Sequence, residues 1–150
     1  MTSGTSIATD AVILFDTHAW IWNVEYHRRR LGRRTRQLIS RADLQRAVCI
    51  SPASMFEVTS LWTAGRLRLS QPPEPWIRAY MAHPGVRLAE LTPTIAIDAG
   101  AIPRTALPDP IDRLLVATAR QLDATLITAD SGILAYASRT GDVRVHDAGI

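Results

Sequence analysis

The sequence predicts an α/β fold of three layers, with a central, mostly parallel sheet between two sets of helices. Short β-branched or apolar runs alternate with amphipathic stretches, the pattern of βα units around a parallel sheet. The connections are short, and no internal repeat or low-complexity tract interrupts them. A chain of 150 residues buries a core without staples and reads as one domain.

Residues 1–10 are polar and read as a flexible tail, and residues 11–150 as a single domain. The run AVILFD is the first strand, residues 11–16, followed by a short helix over 17–24. Leu38, Ile39, Ala42 and Arg46 recur at helical spacing and predict a helix over 33–46. A strand follows at 47–51. Ser51-Pro52 then supplies an N-cap and a proline at the first helical position. That helix runs to Ala64 and stops at Gly65.

The proline-rich stretch 71–75 reads as a linker, followed by a helix over 76–83 and a Pro84-Gly85 break. A strand over 87–91 leads to a helix opened by Thr92-Pro93 and ending near Gly100. Asp109-Pro110 opens the helix that runs through Leu122, with Ile111, Leu114, Leu115, Thr118, Ala119 and Leu122 as its apolar stripe. Strands at 125–128 and 143–146 flank a helix that begins after Asp130.

Composition narrows the chemistry. Cys49 is the only cysteine and sits in the apolar run AVCIS, so it reads as a buried, inert thiol; no intrachain disulfide or thiolate metal cluster is available. No apolar run approaches the roughly 20 residues that span a bilayer. The start of the chain lacks a basic segment followed by an apolar one, so the expectation is a cytoplasmic protein without membrane association. All 17 basic residues are arginine. That excludes chemistry needing a lysine amine, including phosphate-binding loops that use lysine, Schiff-base catalysis and receiver-type phosphoryl transfer. Haloacid-dehalogenase chemistry wants a second acid two residues after the first, and position 18 is His.

Four acids are placed to meet: Asp16 and Asp130 at strand ends, Glu57 and Asp112 near helix starts. Each has a structural explanation as a helix cap or as a partner within a first turn. In right-handed βαβ units, however, strand ends and helix starts share one edge of the sheet, where ligands bind. Carboxylates crowded there repel unless a cation neutralises them. Hard oxygen donors favour Mg²⁺ or Mn²⁺, and the lack of a His or Cys set argues against zinc. Such a site supports phosphodiester hydrolysis by metal-activated water. The hydroxyls of Thr17, Thr128 and Ser131 either orient a ligand or close a cap.

The segments LFDTHAWIW, SPASMFEVTSLWTAGRLRL, DPIDRLLVATA and LITADSGILAY occur in this order and span residues 11–148. Together they closely resemble PIN-domain ribonucleases, and within them the VapC-type toxins of bacterial toxin–antitoxin pairs. The resemblance implies an endoribonuclease with Asp16, Glu57 and Asp112 as catalytic metal ligands and Asp130 as the fourth, more variable member. It also implies a homodimer held inactive by a cognate antitoxin protein. Leu61, Leu107 and Ile133 depart from the common pattern, which often has Lys, His and an aromatic there; none removes a metal ligand. Arg66 or Arg113 is expected to supply the missing charge toward RNA.

Asp109 fits a cap that holds the helix carrying Asp112, and His18 a structural role in a first turn. Asp98, Glu90, Asp123 and Asp142 read as solvated surface. The basic run HRRRLGRRTRQLISR, with Arg33 and Arg34 at its centre, reads equally as a solvated helix face or as a surface for RNA or antitoxin. Trp20, Trp22, Trp62 and Trp76 serve stacking or docking, with core packing expected for at least half. The alternative function is a catalytically silent PIN-like module that binds RNA or protein.

Overall fold

A computed structural model gives the fold and describes residues 12–25 and 28–150. The expected tail, residues 1–10, lies outside them. Among the described residues, five strands form one sheet: β1 (Ile13–Phe15), β2 (Val48–Ile50), β3 (Val86–Leu88), β4 (Thr125–Thr128) and β5 (Val145–Asp147). Their order is β3-β2-β1-β4-β5, and every pairing is parallel. The helices are α1 (Thr17–Val24), α2 (Arg33–Leu44), α3 (Pro52–Thr63), α4 (Pro73–Met81), α5 (Pro93–Ala101), α6 (Pro110–Leu122) and α7 (Ser131–Thr140), with a 3₁₀ turn at Arg28–Arg30. No helix among them is long and apolar enough to cross a membrane.

Side chains that alternate along the strands divide the core in two. Ile13, Phe15, Val48, Ile50 and Ile127 face one layer, where they meet Trp20 of α1, Ala42 of α2, Val58 of α3 and Trp76 of α4. Leu14, Cys49 and Leu126 face the other, against Leu115, Val116 and Ala119 of α6 and Ile133, Tyr136 and Ala137 of α7. Trp20 and Trp76 lie with ring centroids 4.8 Å apart, and each buried aromatic contributes about 2 kcal/mol of burial. Cys49 is buried in the sheet, and that burial raises its thiol pKa.

The proline-rich stretch is where the sequence reading needs correction. Helix α4 begins at Pro73, three residues before the expected start. Proline lacks only an N–H, and the first N–H groups of a helix have no intrahelical partner, so the first turn accepts prolines at 73 and 75. The helix closes with Trp76 N–H on the Pro72 carbonyl at 3.1 Å. Helix α2 stops at Leu44, and Arg46 takes a left-handed conformation with φ of 55° on the way into β2. Strand β3 ends at Leu88, short of residue 91, and β5 lies at Val145–Asp147, somewhat beyond its expected start.

Two connections between distant segments position the elements. Glu25, just past α1, accepts hydrogen bonds from Ser70 N (2.7 Å), Ser70 Oγ (2.9 Å) and Trp76 Nε1 (3.0 Å). Helix α2 has Gly32 at its N-cap and no side-chain cap. The Ile150 carbonyl oxygen takes that role, accepting from Arg34 N at 2.9 Å and Thr35 N at 3.3 Å. A Cβ at position 32 would lie 1.9 Å from the Ile150 carbonyl carbon, so only glycine permits this approach.

Candidate active site

After β1 the chain runs outward through β2 and β3, then returns to β4 on the other side of β1. The reversal leaves a crevice beyond the carboxyl ends of β1 and β4, the topological switch point of the sheet. A cleft of about 260 Å³ opens there, lined by Asp16, His18, Trp22, Glu57, Asp109, Asp112, Ala129 and Asp130. The four acids singled out from sequence therefore face one space, and Asp109 joins them.

Asp16 is the most constrained. It is 6% exposed. Its Oδ1 accepts from Thr17 N–H at 2.7 Å, capping α1, and its Oδ2 accepts from the Thr128 hydroxyl at 2.6 Å. The same Thr128 oxygen accepts from Asp130 N–H at 3.0 Å, which links the ends of β1 and β4 through one side chain. The Thr17 hydroxyl donates to Ser54 Oγ at 3.1 Å, tying α1 to α3, the helix that carries Glu57. Thr17 and Thr128 thus fix the acids from behind.

Asp130 and Asp109 are caps as well as acids of the cleft. Asp130 Oδ2 accepts from Ile133 N–H at 2.8 Å, and Asp109 Oδ1 from Ile111 N–H at 2.8 Å. At Gly132 a Cβ would sit 3.1 Å from Asp130 Oδ2, tighter than ordinary contact. Ser51 caps α3 as the sequence predicts, accepting from Ala53 N–H at 3.0 Å. Among the described residues, Asp112 makes no hydrogen bond or ion pair with which to settle its charge.

Electrostatics follow from that crowding. Burial, then the charges of Asp109, Asp130, Asp16 and Glu57, push the Asp112 carboxyl up from 3.8 to about 8. Burial raises Glu57, with the Asp16 and Asp109 charges adding to it and Thr17 and His18 opposing. Burial also raises Asp16, against the Thr128 and Thr17 hydrogen bonds. Among the described residues no arginine lines the cleft, and the ion pairs, Arg78–Glu74, Arg120–Asp142 and Arg144–Asp123, involve none of these acids.

That donor set fits a hard divalent cation. No three of the acids close on one point as a finished cage among the described residues. Mg²⁺ does not need one: it binds through one or two carboxylates, keeps several waters and takes the rest of its shell from phosphate. The N-termini of α1, α6 and α7 also meet at the cleft through Asp16, Asp109 and Asp130, and helix N-termini favour an anion such as phosphate.

Of the arginines expected to contact substrate or partner, none lines the cleft. Arg66 lies beyond the end of α3, past the left-handed Gly65. Arg113 follows Asp112 on α6, with its Nε buried and without a hydrogen-bond partner among the described residues. Arg34 lines a separate hollow with Gln37, Leu38, Arg41 and His146, and Arg33 opens α2 beside it. Asp142 is more than solvated surface, since it accepts from the Tyr136 hydroxyl at 2.6 Å. His18 and Trp22 are the residues the sequence reading left out of the site. Their spacing of four puts both rings on one face of α1.

Residues 13–138 match the PIN-domain family, and the chain belongs to that family. Closer in sequence, it is 34% identical over 119 residues to Ribonuclease VapC22 of Mycobacterium tuberculosis, an alignment covering 79% of this chain and 86% of that protein. Two solved structures share the fold. VapBC2 from Rickettsia felis, bound to a DNA fragment from its promoter, gives a TM-score of 0.64 at 12% identity, covering 90% of this chain and 97% of that one. DNA-bound VapBC from Salmonella typhimurium gives 0.59 at 19% identity, covering 91% and 97%.

Proposed function

We propose that this chain is a divalent-metal-dependent endoribonuclease, the toxin of a toxin–antitoxin pair, using Mg²⁺ or Mn²⁺ and acting as a cytoplasmic homodimer. The observation that carries this reading is the uncompensated acid cluster, Asp16, Glu57, Asp109, Asp112 and Asp130, in one cleft of a PIN fold. The kinship with Ribonuclease VapC22 supports RNA as substrate. The likeness to the VapBC structures from Rickettsia felis and Salmonella typhimurium supports a cognate antitoxin as partner.

Asp16, Asp112 and Glu57 would hold the cation, with Asp130 completing its protein contacts. A bound divalent ion lowers the pKa of water, polarises a phosphate oxygen and stabilises the leaving oxygen. The chain's own part is orientation. Thr128 and the α1 backbone lock Asp16 in place, so it is set before substrate arrives. Asp109 fixes the start of α6 and with it Asp112. Burial and the neighbouring acids push the Asp112 carboxyl up to about 8, which favours its protonated form at neutral pH, whereas a bound cation would favour the ionised form.

The test is cleavage of a total RNA pool with Mn²⁺ and with EDTA, by wild type, Asp16→Asn and Asp112→Asn. Mn²⁺-dependent cleavage that each variant lowers by 10²-fold or more supports the reading. Equal cleavage by the variants sinks the acid mechanism, and no metal-dependent cleavage of any RNA points to a binding module.

A further inference from the structure

The cleft does not end at its carboxylates. His18 and Trp22 line it beside Asp16, one helical turn apart on α1, with ring centroids 6.5 Å apart and planes tilted by 56°. Beyond them the Arg30 guanidinium lies over the Trp22 ring, 5.3 Å from its centroid. Among the described residues, no carboxylate lies within ion-pair distance of Arg30. Trp22 is half-buried, and packing against the core holds it in place. Trp22 thus packs on the core with one part of its surface and lines the acid cleft with another. Trp20, two residues away, shows the contrast: it is fully enclosed by the core.

An aromatic surface with a guanidinium beside it suits single-stranded RNA. Unstacked bases lay their faces on aromatic rings, and arginine takes the neighbouring phosphate. The acids supply no affinity for a polyanion, so groups outside them must hold the strand.

We infer that His18, Trp22 and Arg30 form the nucleotide subsite next to the reacting phosphate: a base stacks on the cleft side of Trp22 and His18, and Arg30 holds an adjacent phosphate. The inference rests on the ribonuclease reading and adds to it where the strand enters. Trp22 and Arg30 are positioning residues for RNA, and the stacking is tolerant of base identity because every base has a π-face.

The test uses the full chain carrying Asp112→Asn, with Mg²⁺, and a fluorescein-labelled decamer of riboadenosine against an abasic ribose-phosphate decamer of equal charge. Trp22→Leu is expected to weaken binding of the adenosine decamer about tenfold and to leave the abasic decamer unchanged, while Trp22→Phe keeps most of the affinity. Thermal melts check that each variant is folded. Arg30→Met is expected to flatten the dependence of log affinity on log salt by about 0.7, one phosphate contact on a single strand. Unchanged affinity in Trp22→Leu, or equal loss on both decamers, overturns the subsite and leaves the strip to packing or to a protein partner. The two readings fail separately. Base-dependent binding by a wild type that cleaves nothing with Mn²⁺ keeps the subsite and refutes the nuclease. Mn²⁺-dependent cleavage with adenosine binding indifferent to Trp22 refutes the subsite alone.

Discussion

Asp112 carries most of the electrostatic tension in the molecule. Its carboxyl titrates near 8 in the folded protein against 3.8 for an unperturbed one, chiefly through burial and then the surrounding acids. The folded state therefore holds a proton that the unfolded chain has lost. Between pH 4 and pH 8 the unfolded state binds fewer protons, so stability of the metal-free protein falls as pH rises through that window and levels off above it. Replacing Asp112 with Asn removes both the repulsion and the titration. In EDTA at pH 8, Asp112→Asn is expected to melt about 5 °C above wild type, with the gap closing toward pH 4. Scanning calorimetry across that range checks it; a variant less stable than wild type at pH 8 contradicts it. Asp16 differs because each of its oxygens already has a donor, so its geometry is fixed whatever its charge.

At the scale of elements, the caps and the clamps decide where helices begin and how they meet. Asp16, Ser51, Thr92, Asp109 and Asp130 each cap a helix with a side-chain oxygen, and all five starts are visible in sequence because a cap is a local signal. Glu25 is not visible in that way. Its partners Ser70 and Trp76 lie 45 and 51 residues away, so only the folded chain brings them together. That carboxylate ties the end of α1 to the approach of α4 and satisfies the indole N–H of a buried Trp76. Glu25→Ala leaves that N–H unpaired and is expected to cost about 2 kcal/mol, read as a lowered denaturant midpoint with unchanged slope. Unchanged stability would show that solvent serves Trp76 as well as Glu25 does. The early start of α4 has a related cause. Prolines signal a break when read along the sequence, yet two of them fit a first turn whose N–H groups are free.

Across the whole molecule, charge is segregated. The chain carries 17 arginines and a net charge of +3, yet among the described residues the candidate site's cleft is lined by five acids and no arginine. The order of the sheet explains where the acids meet. Asp16 and Asp130 end adjacent strands, and α3 and α6 bring Glu57 and Asp112 to the same edge. This much could be read from the sequence, because strand ends and helix starts share an edge in any right-handed parallel fold. That His18 and Trp22 line the cleft could not, since two rings four residues apart on a short helix look like any packing stripe. Asp109 was half legible: its cap is local, whereas its place in the cleft depends on how α6 packs. Arg66 follows Glu57 closely in sequence but is not among the residues that line the cleft.

The central claim is that this acid cluster is a divalent-cation site whose charge is balanced by a proton until a cation arrives. Calorimetric titration of the metal-free protein with Mn²⁺ at pH 7, in two buffers of different ionisation enthalpy, measures both binding and proton release. The account predicts saturable binding with about one proton released per chain, and loss of that release in Asp112→Asn. Absence of Mn²⁺ binding, or binding and proton release unaltered by Asp112→Asn, would contradict it.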